Sequence, residues 1–245
     1  MHRQVIFLII VLLSNVVQCI TGFAGTVLAM PFSIMTVGYA VAKPILNVLG
    51  LAASFAIAVP NYKQVNYKEL AKMLGGMLAG MVIGVLINRH FSLSDDEALI
   101  CRILGVLVIL FAIYNAVRHF RKTDDKKLPA VVNLFVLVSA GTVHGIFVCG
   151  GPLLVTYASS KMTDKDEFRS TVSASWILLN GLIALWDYRA GYFTPPTVRL
   201  TLISIAVLAA ALLIGKIIYK KLNKEVFLIL TYVLMLISGI SLLAK

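Results

Sequence analysis

The chain has 245 residues, of which 60% are hydrophobic and 13% charged, with a mean hydropathy of +0.92. A soluble domain carries about a quarter charged residues, so this composition excludes a globular enzyme domain, and no catalytic residues are expected. The net charge of +11 comes from basic residues scattered between apolar runs. That is the positive-inside bias of membrane loops and not a nucleic-acid surface.

No charged residue falls in 5–37, 44–60, 73–88, 103–117, 129–160, 170–186, 200–215 or 226–244. A helix crosses a bilayer with about 20 apolar residues, so the pattern predicts about 8 to 10 hydrophobic segments in the cell membrane. The polar gaps between them are short loops, with no room for a soluble domain. Residues 1–19 have a basic start and an apolar run, as a signal peptide does. A matching segment recurs deep inside the chain, so this one reads as a mature transmembrane helix.

The first long run, 5–37, exceeds one span and contains Thr21-Gly22-Phe23-Ala24-Gly25. After it come Lys43 and a helix carrying Asn47 and Ser54 on one face. A basic loop at 61–72 leads to a helix in which Gly76, Gly80 and Gly84 recur every four residues, the spacing of a helix-packing stripe. An acidic loop at 89–97 and a further helix complete a first half, 1–117. Residues 118–129 read as a basic linker. The second half, 130–245, repeats the order: a long run broken at Cys149-Gly150-Gly151-Pro152, then Arg169, then a helix with Ser173, Ser175 and Asn180.

Placing Lys43 on Arg169, an offset of 126, sets Asn47 on Ser173 and Ser54 on Asn180. Around the breaks an offset of about 121 sets Pro31 on Pro152. Lysine and arginine counts place 61–72, 118–128, 161–169 and 216–224 inside, and 89–97 and 187–194 outside. Equivalent loops of the two halves then fall on opposite sides. The expected fold is an all-α polytopic membrane protein of two inverted-topology repeats, with a broken or re-entrant helix at the start of each.

Paired interruptions in two inverted halves point to a transport site. A short helix that begins at such a break aims N–H groups and its positive dipole end into the membrane, where an anion binds. Thr21, Gly22, Gly25, Gly150 and Gly151 are therefore candidate substrate-binding residues. Asn47, Ser54, Ser173 and Asn180 join them, since their amides and hydroxyls can replace an anion's water; their alternative role is hydrogen bonding between helices. Lys43 and Arg169 are read as attracting an anion at opposite entrances, or as interfacial anchors. His144 reads as the only ionisable group other than cysteine well inside a span, and so as a proton-coupling candidate. Asp187 is expected to pair with Arg189.

The run Gly22-Phe23-Ala24-Gly25…Met30-Pro31 and its partner Gly145…Gly150-Gly151-Pro152 resemble the TauE/SafE family of sulfite exporters and related permeases. The resemblance covers nearly the whole chain and rests on the order and duplication of the motifs. One departure is that Ala24 and Thr26 stand where members often have further glycines. The resemblance implies a secondary transporter, ion- or proton-coupled, that moves small anions such as sulfite, organosulfonates or related sulfur- or carboxylate-containing compounds. The expected partners are that anion and the lipid bilayer, with self-association into a homo-oligomer left open. No cofactor or metal is expected, and no nucleotide-binding motif is present. A rival reading takes Cys19 and Cys149, each beside a break, as a membrane thiol–disulfide electron carrier; Cys101 completes the cysteines.

Overall fold

A computed structural model describes residues 2–90, 97–120, 129–162 and 164–221, with isolated positions between 229 and 243. Most of the 118–129 linker and of the last hydrophobic run lies outside the described residues, as does much of the acidic 89–97 loop. Within the described residues the chain is nearly all helix, without a strand. That outcome follows from the solvent: in hydrocarbon each backbone N–H must find its carbonyl within the segment.

The helices are α1 (His2–Thr21), α2 (Gly25–Val37), α3 (Tyr39–Ala58), α4 (Tyr67–His90), α5 (Glu97–Phe120), α6 (Ala130–Phe147), α7 (Gly151–Ala158), α8 (Lys165–Arg189) and α9 (Pro195–Lys221). Six of them, α1, α3, α4, α6, α8 and α9, are long and apolar enough to cross a membrane. The helices α2 and α7 have only 13 and 8 residues. At 1.5 Å per residue neither reaches across.

Both interrupted runs are broken where the sequence indicates. Each break turns on one residue in the left-handed region: Gly22 at φ +82° and Val148 at φ +57°. The chain then doubles back. Gly25 lies against Ser14 and Gln18, and Gly150 against Ala140 and His144. A helix continuing straight over ten residues would have moved about 15 Å away. Thus α2 and α7 fold back along α1 and α6.

The boundaries in the two halves keep one spacing. Thr21 and Phe147 end the first helices, Gly25 and Gly151 begin the second, and Tyr39 and Lys165 begin the third, each pair 126 apart. This corrects the offset of 121 read around the breaks, which was drawn by glycine and proline identity. With 126, Gly22 corresponds to Val148 and Gln18 to His144.

Valine is β-branched and rare in the left-handed region. Its strain of about 1–2 kcal/mol should be released in Val148→Gly and offset most of the lost burial. That variant should melt within about 1 kcal/mol of wild type, whereas glycine at the equally buried helical Val172 should cost about 3 kcal/mol. Equal losses for the two variants, read by thermal unfolding in detergent, would contradict a strained reversal at Val148.

Packing pairs the two halves with each other. Helix α1 lies on α9 and α4 on α6, α3 touches α9 as α8 touches α4, and α3 lies on α8. The α3–α8 contact is antiparallel, because Lys43 meets Asp187 while Asn47 meets Asn180. The glycine stripe is the α4–α6 seam: a Cβ on Gly80 would stand 1.9 Å from the Val138 carbonyl oxygen. Asn66 binds Thr171 and Glu167 at the start of α8, and Tyr219 binds Asp166 there. The basic segments at 61–72, 161–169 and 216–221 therefore share one end of the bundle. The 187–194 turn follows the opposite end of α8.

Candidate functional site

The two breaks meet. Gly151, the first residue of α7, stands against the carbonyl oxygen and ring of Phe23 in the first break. Cys149 Sγ lies 3.7 Å from the Thr26 carbonyl oxygen. Beside this junction is a cavity lined by Gln18, Phe23, Thr26, Gly50, His144, Val148, Trp176 and Asn180. It measures about 10 Å³, close to the room that one water needs.

The first break is clamped by side chains. Gln18 accepts from Gly25 N–H at 2.8 Å and donates to the Gly22 carbonyl at 3.3 Å. Thr21 Oγ1 accepts from the N–H groups of Phe23 and Ala24 at 3.3 and 3.2 Å. Trp176 Nε1 donates to the Gly22 carbonyl at 3.1 Å, tying α8 to the same break. The expectation of free amides at the start of α2 is therefore corrected. Thr21 and Gln18 take up the amide of Gly25, the first residue of α2, and those of Phe23 and Ala24 just before it, because the reversal brings those side chains back over the helix start. At the second break, Pro152 has no N–H to offer, and Gly150 and Gly151 are buried in contact with α6 and Phe23.

The unsatisfied groups are side-chain atoms instead. Oδ1 of Asn47 and Oγ of Ser173 are buried without a hydrogen bond, and the buried His144 ring has the Asn180 side-chain amide beside it as a hydrogen-bonding neighbour. His144 stacks on Trp176 with ring centroids 4.8 Å apart. Asn47 Nδ2 donates to the Asn180 backbone carbonyl at 2.9 Å, and Ser173 Oγ stands against Gly22. Buried polar atoms are normally paired, so a cluster of orphans beside a cavity marks a place prepared for a polar guest.

Other candidates lie elsewhere or are otherwise engaged. Ser54 donates to the Gly50 carbonyl of its own helix at 2.7 Å and does not line the cavity. Ser175 likewise bonds Val172. Arg169 grips the Cys19 carbonyl through Nε and Nη2 at 2.9 and 2.6 Å and lies over the Tyr219 ring. It thus caps the last turn of α1, where a cation also suits the helix dipole.

Two expectations about charge are overturned. Lys43 is buried within the bundle: it is 2% exposed and pairs with Asp187 at 2.7 Å. Helix α3 begins at Tyr39, which carries Lys43 a full turn inward, onto the face that meets α8. Asp187 therefore pairs with Lys43 across the halves and not with its neighbour Arg189. His144 is accordingly not the only non-cysteine ionisable group buried in the bundle.

Gln18, Phe23, Thr26, Gly50 and Trp176 were not singled out in the sequence. Gln18 had a signal: at the 126 spacing it is the counterpart of His144, one turn before each reversal. Both cysteines are buried free thiols on different partners. Cys19 faces the Leu212 carbonyl in α9, and Cys149 faces Thr26. That arrangement gives the thiol-relay reading no support.

No curated protein and no solved structure gives a significant match to this chain. The family model described as Sulfite exporter TauE/SafE matches residues 6–242, nearly the whole length. With six helices long and apolar enough to cross a membrane among the described residues, and a broken helix in each half, the chain belongs to the sulfite exporter TauE/SafE family and is a multi-pass membrane transporter.

Proposed function

We propose that the protein is a secondary transporter that binds a small anion, such as sulfite, an organosulfonate or a related carboxylate, where the two breaks meet. The observation that carries this reading is the junction itself: two breaks, one from each half, closing on a cavity edged by orphan polar atoms. The donors there, the Asn180 amide nitrogen, the Ser173 hydroxyl and a His144 ring N–H, would replace the anion's water, with Trp176 and Phe23 as the apolar wall.

The halves are read as inverted repeats. Two observations support this: the antiparallel α3–α8 contact, and the exchange of partners in which α1 meets α9 as α4 meets α6. A two-fold axis lying in the membrane plane generates both. Rocking one half against the other about this axis would open the site alternately to each side.

Transport is read as coupled to an ion or proton gradient, with His144 one candidate carrier. Counterflow in vesicles tests the reading, using a panel of sulfite, organosulfonates and carboxylates. Saturable exchange is expected for at least one. Asn180→Leu, which removes the side-chain amide that lines the cavity, should lower that exchange at least about tenfold, the cost of one polar contact. A conductance that never saturates would point to a channel and end this proposal.

A further inference from the structure

The Lys43–Asp187 pair does not line the cavity, yet it lies on the same seam. Lys43 Nζ stands 2.7 Å from Asp187 Oδ1, with the side chains 2% and 0% exposed. The second carboxylate oxygen, Oδ2, is buried without a hydrogen bond. Lys43 comes one turn before Asn47, which bonds Asn180, and two turns, about 10 Å, before Gly50 at the cavity.

Few titratable or charged groups face this carboxylate. From α3 come Lys43 and Tyr39, and Tyr39 donates to the Ile146 carbonyl at the end of α6. The turn after α8 adds Tyr192, whose ring centre is 5.5 Å from Lys43 Nζ. On α6, His144 lies within electrostatic reach of Lys43, and Cys149 in the second break is within reach of Tyr39. Among these described groups, Lys43 and Asp187 form the buried ion pair.

Charge balance then constrains the transport cycle. The empty pair is neutral. A monovalent anion that reaches Lys43 leaves one excess negative charge in a low-dielectric interior, where an uncompensated charge is costly. One proton on Asp187 restores neutrality. We propose that Asp187 takes up one proton for each monovalent anion carried, and that Lys43 then changes partner from Asp187 to the anion. This rests on the anion-transport reading above.

The proton comes from water on the loading side and converts the carboxylate to a neutral carboxyl. The ammonium keeps its charge throughout. Loaded and empty sites both sum to zero, so the protein carries proton and anion together without moving net charge. The site is thus a proton–anion symport site, with Asp187 as proton carrier and Lys43 as the anion's counter-ion.

The test uses the full chain in proteoliposomes with methanesulfonate and sulfite as probes. Methanesulfonate stays monovalent over the working range, so protons moving with it belong to the protein. Whichever probe shows saturable counterflow is carried forward. For one proton per monovalent anion, a gradient of one pH unit should drive about tenfold accumulation by the wild type. An imposed potassium diffusion potential should leave that accumulation unchanged. In Asp187→Asn, accumulation should fall to about onefold whatever the rate of exchange, and should now follow the potential.

An Asp187→Asn protein that still accumulates about tenfold overturns the proposal, as does one that melts like wild type but moves no anion. If Asp187→Asn misfolds, the amide pair Lys43→Gln, Asp187→Asn takes its place. That double variant should melt near wild type without gradient-driven accumulation, and accumulation by it also overturns the proposal. Loss of the proton response in His144→Gln but not in Asp187→Asn moves the carrier to His144. Wild-type protein that moves neither probe ends the transport reading itself.

Discussion

Gly80→Val should abolish recovery of folded protein. A Cβ at Gly80 would lie 1.9 Å from the Val138 carbonyl oxygen and 2.9 Å from the Thr142 nitrogen. Both neighbours are backbone atoms of α6, which cannot swing aside as a side-chain tip can. The contact is reciprocal, since a Cβ on Gly141 would stand 2.1 Å from the Met77 carbonyl oxygen. Pushing α4 away would also open the contacts of Gly76 with Leu137 and of Gly84 with Thr142. Close backbone approach is the main source of helix association in lipid, where no hydrophobic force acts between helices. The cost should exceed the range of about 1–3 kcal/mol typical of core overpacking. Gly75 is the control, because nothing lies within 4 Å of the position its Cβ would take. Gly75→Ala should gain up to about 1 kcal/mol from helix propensity. Gel filtration and thermal unfolding in detergent read both, and a monodisperse, normally melting Gly80→Val protein would rule out the α4–α6 seam.

Lys43→Met should destabilise the protein by about 3–5 kcal/mol, because it strands the Asp187 carboxylate in a dry interior. The companion double variant Lys43→Met, Asp187→Leu should recover that loss, ending between wild type and about 4 kcal/mol more stable. The contrast matters more than either value. An exposed pair yields small, salt-sensitive effects of about 1 kcal/mol or less, whereas a buried one leaves the single variant far worse than the double. A double-mutant cycle in detergent, run at low and high salt, separates the cases. If the single variant melts like wild type, α3 and α8 do not meet through these two charges.

Much of this architecture is legible along the chain. Stretches without charge mark the helices, since a buried charge in lipid is rare. The glycine stripe at 76, 80 and 84 shows a close seam, although not its partner helix. The two breaks announce themselves as runs too long for one span with glycines inside. What escapes is whatever depends on a fold back through space. Thr21 and Gln18 cap the start of α2 only because Gly22 reverses the chain, so the amides there looked free. Lys43 looks like an edge residue because its partner is 144 positions away. Near the breaks, matching prolines and glycines by identity gives an offset five residues short of the 126 that the helix boundaries keep. The true correspondence there is conformational, with a glycine and a valine both left-handed. The cavity's dimensions arise from eight residues on five helices and the two breaks and have no signature in any single stretch.

The exchange of partners between halves has a consequence for how the protein is made. During synthesis α1 emerges long before α9, and the glycine edge of α4 before α6. A nascent chain that ends near residue 120 therefore faces lipid with surfaces shaped for helices not yet translated. Neither half completes its own seams, so these contacts close only after the second half has been made.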